Sequence, residues 1–90
     1  LEIVTPEAVI FNSEVISVSV PGINGSFQML NDHAPIVSLL NKGTIKIKGT
    51  KIELMEDFES KFTKNKDEFQ LEISGGTIEM NNNKIIILAE

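Results

Sequence analysis

Apolar and small or charged residues alternate along most of this chain. In Ile16-Ser17-Val18-Ser19-Val20 the branched residues fall on every second position, as a half-buried strand requires. The same period recurs in Ile45-Lys46-Ile47-Lys48, Phe69-Gln70-Leu71-Glu72-Ile73 and Ile78-Glu79-Met80, with Lys or Glu on the solvated side. Ile85-Ile86-Ile87-Leu88 breaks the alternation. A continuous apolar run predicts a strand buried on both faces.

Turn residues separate the runs. Pro6 closes a first strand over residues 1–5, Pro21-Gly22 ends the second, and Asn24-Gly25 marks a tight turn into 26–30. Asn81-Asn82-Asn83 divides the last two strands, because Asn tolerates the left-handed backbone that short turns demand. Gly75-Gly76 reads as a bulge or a sharp bend. Short strands with frequent turns predict an antiparallel sandwich or barrel. Residues 51–68 fit this less well. Leu54, Phe58 and Phe62 satisfy helical spacing, yet with Ile52 they also share strand parity. The reading there is an irregular excursion with one helical turn.

Length and charge narrow the function classes. Ninety residues suffice for one domain with one core and no staples. Cysteine is absent, which favours a reducing compartment, and no run approaches a membrane span. The chain opens on Leu1, so an initiator Met is expected to have been removed. A net charge of −5 without any Arg excludes nucleic-acid binding through a basic patch. Trp and Tyr are missing too, so a partner surface must be built from Phe, Leu, Ile, Val and backbone. Lys46, Lys48 and Lys51, with Lys42 nearby, read as charges that guard an exposed sheet edge.

Candidate chemistry is sparse. His33 is the single histidine and follows Asp32; Ser26 or Ser38 could be named as its nucleophile. No nucleophile elbow is present, and Asn31-Asp32 before Pro35 reads as a turn. One His and no Cys make no zinc set, and Glu53, Glu56, Asp57 and Glu59 read as a solvated edge, not a calcium site. Gly22 to Gly25 lacks the spacing and Lys of a phosphate loop. No catalytic residue, cofactor or metal is expected. Two other classes remain: a free-standing binding sandwich, and a small hydrolase using His33.

Three ordered segments carry a resemblance. Leu1-Glu-Ile-Val-Thr-Pro-Glu7 with Ile10-Phe11, His33-Ala-Pro-Ile-Val-Ser-Leu-Leu40 with Lys42-Gly43, and Ile73-Ser-Gly-Gly76 running on to Ala89-Glu90 together resemble the epsilon subunit of F-type ATP synthases, called delta in mitochondria. The resemblance implies an all-β fold, a flattened antiparallel β-sandwich of about ten strands. It implies a non-catalytic rotor subunit of the central stalk of a proton-transporting synthase, joining the gamma subunit to the c ring and supporting ATP synthesis. It further implies a peripheral place on the cytoplasmic face of the bacterial inner membrane, reached only through the complex. His33, Ala34, Pro35 and Ile36 would face gamma. Ile23, Asn24, Gly25 and Ser26 would face the c ring.

The chain departs from that pattern in four places. Asn31-Asp32 stands where the family commonly has Pro-Gly, and the loop 23–26 lacks the acidic residues often found there. The excursion 51–68 is longer than the usual hairpin. Many relatives also continue past the position of Ala89-Glu90 into two helices that regulate hydrolysis. The expectation here is a single β-sandwich domain over 1–90 without them.

Overall fold

In the computed structural model the described residues are 1–30, 35–82 and 84–90. They form ten strands and one short 3-10 helix. The strands are β1 (Glu2–Val4), β2 (Val9–Asn12), β3 (Ser17–Gly22), β4 (Gly25–Leu30) and β5 (Ile36–Leu40). They continue with β6 (Gly43–Lys48), β7 (Phe62–Asn65), β8 (Glu68–Ile73), β9 (Gly76–Asn81) and β10 (Lys84–Ala89). The helix, Glu56–Lys61, precedes β7.

Pairing runs β2-β1-β10-β9-β5-β3-β6-β8-β7, with β4 on the free side of β3. The join between β5 and β3 is a single pair, Gly22 with Leu40. So narrow a hinge lets the sheet fold over into two layers. One layer is β5-β9-β10-β1-β2 and the other β4-β3-β6-β8-β7, and the flattened β-sandwich is the expected fold. One pairing departs from the antiparallel rule: β1 lies parallel to β10, with Glu2, Ile3 and Val4 beside Ile86, Ile87 and Leu88.

The core lies between the layers. Val18, Val20, Ile45, Ile47, Leu71 and Ile73 project from one sheet; Ile3, Phe11, Ile78, Met80, Ile85 and Ile87 project from the other. The period-two pattern puts them there, because alternate side chains of a strand share a face. A bulge between β1 and β2 lets both Ile10 and Phe11 enter the interior.

Several turns follow from the sequence. Ile23 and Asn24 bridge the pair Gly22–Gly25, and the reversal is completed by Gly25 at φ 117°. Asn82 takes φ 52° between β9 and β10; Asn83 lies outside the described residues. The bend falls at Ser74-Gly75, carrying the chain from one sheet to the other, and β9 starts at Gly76. A Cβ on Gly76 would stand 2.1 Å from the carbonyl oxygen of Leu88, so only glycine fits where β9 meets β10.

Three expectations change. The run 85–88 is not buried on both sides: Ile85 and Ile87 point inward, while Leu88 is 52 % exposed and Ile86 lies on the same outer face. β10 has neighbours along both edges but no layer over its outer face. Lys46 and Lys48 do not guard an edge, since β6 lies between β3 and β8. They face solvent from an interior strand, with Lys46 opposite Gln70 and Lys48 opposite Glu68. The stretch 51–68 does contain a helical turn, but it also supplies β7, paired with β8. Ile52, Leu54 and Phe58 pack partly against the core.

Candidate functional site

The two sheets differ on their outer faces. Across β4, β3, β6, β8 and β7 one register row reads Gln28, Ser19, Lys46, Gln70 and Thr63. Every member is polar. On the same face the Thr44 hydroxyl donates to the Glu72 carboxylate, and the Gln70 amide donates to Glu68 Oε2 at 2.9 Å. This is an ordinary solvated surface.

Across β5, β9, β10, β1 and β2 the corresponding row reads Leu39, Thr77, Leu88, Val4 and Val9. The next row reads Val37, Glu79, Ile86, Glu2 and Asn12. Val37 is 77 % exposed and Leu39 57 %. Of the seven exposed large hydrophobic side chains among the described residues, five lie here: Val9, Val37, Leu39, Ile86 and Leu88. Scattered exposed apolar residues are normal, but contiguous ones mark a surface meant to be covered. A shallow groove of about 460 Å³ runs through it, lined by Val4, Leu39, Thr77 and Leu88 among others.

Chemistry is less in view. Among the described residues no group of three or more His, Cys, Asp or Glu side chains could hold a metal. Ser38 donates its hydroxyl to the Leu39 carbonyl at 3.3 Å. His33, proposed as its partner from sequence, lies outside the described residues with Asn31, Asp32 and Ala34.

The sequence-derived interface residues divide accordingly. Pro35 is exposed at the start of β5, and Ile36 is half-buried against the core. His33 and Ala34 are among those outside the description. The next outward positions, Val37 and Leu39, belong to the apolar face. Ile23, Asn24, Gly25 and Ser26 form the exposed tip of the β3–β4 hairpin, with Ile23 51 % exposed. The missed members of the face, Ile86 and Leu88, stood in the run read as buried. Their signal was the absence of any further apolar element to lay over them.

The whole chain, residues 1–90, matches the family described as ATP synthase, Delta/Epsilon chain, beta-sandwich domain. The chain belongs to this family. It is 38 % identical to the ATP synthase epsilon chain of Chlorobium limicola over 90 residues, covering all of this chain and 86 % of that one. The epsilon chain of Desulforamulus reducens is 36 % identical, but the match spans 57 % of its length. In the mitochondrial ATP synthase of Tetrahymena thermophila, a structure of the central stalk and c ring, one chain superposes with a TM-score of 0.72 at 16 % identity. That match covers 98 % of this chain and 60 % of the other. A chain of the Euglena gracilis mitochondrial enzyme gives 0.74 at 19 %, covering 98 % and 48 %. At such identities these two likenesses speak for the fold alone.

Proposed function

We propose that this domain of the ATP synthase delta/epsilon family is a central-stalk part that links the gamma subunit to the c ring and turns with both. The observation that carries this reading is the apolar row Leu39-Thr77-Leu88-Val4-Val9 on the outer face of one sheet. Gamma docks there, with Val37 and Leu39 at the centre of the contact and the segment His33 to Ile36 at its margin. The hairpin tip Ile23 to Ser26 meets the polar loops of the c ring. No group on this chain performs chemistry. Its membrane association is peripheral, through the complex, on the cytoplasmic side of a bacterial membrane.

The mechanical demand agrees with the architecture. A torque-bearing connector must keep its shape, and interdigitated side chains between two sheets resist shear because they are packed at crystal-like density. Binding is then left to outward side chains and loop tips held by a rigid scaffold.

The test is a binding titration against the gamma subunit of the same organism. Leu39→Asp should abolish a one-to-one complex while the domain stays folded; Lys46→Asp, on the polar sheet, should bind as the wild type. Equal loss from both, or from neither, would remove the docking face from this assignment.

A further inference from the structure

The apolar face carries two carboxylates, Glu2 on β1 and Glu79 on β9, with Ile86 between them. Glu79 sits midway along β9, opposite Val37 on one side and Ile86 on the other, and its carboxylate is exposed. Its neighbours along the same outer side of β9 are Thr77 and Asn81. Lys84 is the cation of this face nearest in register: it pairs with Asn81 and so stands diagonally from Glu79, beyond Ile86. Diagonal positions are separated by about 7–8 Å, a span that long side chains can bridge, so the Lys84 variant below separates an internal pair from one made with a partner.

In the free chain water solvates Glu79. Once a partner covers Val37, Leu39, Ile86 and Leu88, that water is removed from around the carboxylate. A carboxylate buried without a cation loses its hydration with nothing in return, so a purely apolar partner would bind poorly. A partner with Lys or Arg at this point forms a charge-assisted bond in a drier setting, which is short and strong. Glu79 would thereby fix both the register and the identity of what docks, since a misplaced partner leaves the charge unpaired.

We infer that Glu79 is the specificity-determining residue of this face, and that the segment docking there presents a Lys or Arg between apolar side chains, seated on Glu79. This rests on the docking face proposed above and adds to it the chemistry of the partner.

The experiment is a titration of gamma with the wild-type chain, Glu79→Gln, Glu79→Lys and Lys84→Gln at low and high salt, each variant first shown folded by its thermal transition. Glu79→Gln should weaken binding about tenfold and flatten its salt dependence. Glu79→Lys should weaken it further, and one Lys→Glu or Arg→Glu change on gamma should restore it. Lys84→Gln should bind within about twofold of the wild type. Wild-type affinity and salt dependence in Glu79→Gln would overturn the inference while leaving the docking face intact. A loss in Lys84→Gln equal to that in Glu79→Gln would also overturn it, by making the two an internal pair. Absence of any wild-type complex would remove the docking face and this inference together.

Discussion

The rings of Phe11 and Phe62 meet with centroids 5.7 Å apart and planes tilted by 45°. Phe11 belongs to β2 and Phe62 to β7, the last strands at the two ends of the pairing order. Their contact therefore closes the sandwich on the side away from the β3–β5 hinge, where no backbone pairing holds the layers. Phe11 is fully enclosed and Phe62 is 9 % exposed. Phe11→Ala should cost about 3–5 kcal/mol in urea unfolding, and Phe62→Ala less, because the rim can collapse or admit water. The double variant should cost less than the sum, the shortfall measuring the ring pair. Additive losses would mean the rings pack independently.

Gly76 and Gly25 should respond differently to the same change. At Gly76 a methyl group would overlap the Leu88 carbonyl. That oxygen belongs to a central strand, so relief requires moving backbone. Gly76→Ala should cost at least about 2 kcal/mol. At Gly25 nothing lies within 4 Å of the added carbon, and the penalty is only its φ of 117°. Gly25→Ala should cost about 1–2 kcal/mol. Chemical denaturation of the two variants compares them directly, and the reverse order would contradict the register between β9 and β10.

Much of this arrangement can be read from the residues, and the gaps have physical causes. Alternation in 16–20, 45–48 and 69–73 specifies both the strands and their inward faces, because one side of each meets water. The turn Lys66-Asp67 gave no such warning: it reverses β7 into β8 with Lys66 at φ 59°, a conformation usually marked by Gly or Asn. Without that mark, 62–65 looked like part of an irregular excursion. Ile86 and Leu88 misled for the opposite reason. A strand with apolar residues on both sides is equally consistent with a buried core and with an uncovered docking face, and only the layer count separates them. The hairpin tip 23–26 was legible from Asn24-Gly25, whereas the role of Val37 and Leu39 depended on knowing which members of 36–40 turn outward.

The isolated chain should reveal its uncovered face. Val37 and Leu39 on β5 and Ile86 and Leu88 on β10 are exposed on one face, with Thr77 and Glu79 between them. Exposed apolar side chains gathered on one face bind one another when their partner is missing. Concentrated solutions should show weak, concentration-dependent self-association by analytical ultracentrifugation. Leu39→Glu combined with Leu88→Lys should abolish it, leaving the unfolding midpoint within the range of ordinary surface changes, about 0.5 kcal/mol each. Stability lost along with self-association would mean these side chains belong to the fold and not to an interface.

The hairpin tip should report on the c ring without disturbing gamma. Ile23 and Asn24 turn β3 into β4, in the layer that does not carry the apolar face, and the tip Ile23 to Ser26 is exposed. A partner lying on the face leaves the tip free to reach a second one. The chain has no cysteine, so Asn24→Cys is a unique handle at an exposed position. In the assembled synthase it should crosslink to a c subunit through a short thiol-reactive linker. Lys46→Cys, on the polar outer face of the other sheet, should not. Because the tip makes no contact within the core, Asn24→Cys should also leave gamma binding unchanged. A crosslink from Lys46→Cys with none from Asn24→Cys would mean that the domain stands on the ring in another orientation, and that the polar sheet, with its Lys and Glu pairs, is the surface that meets it.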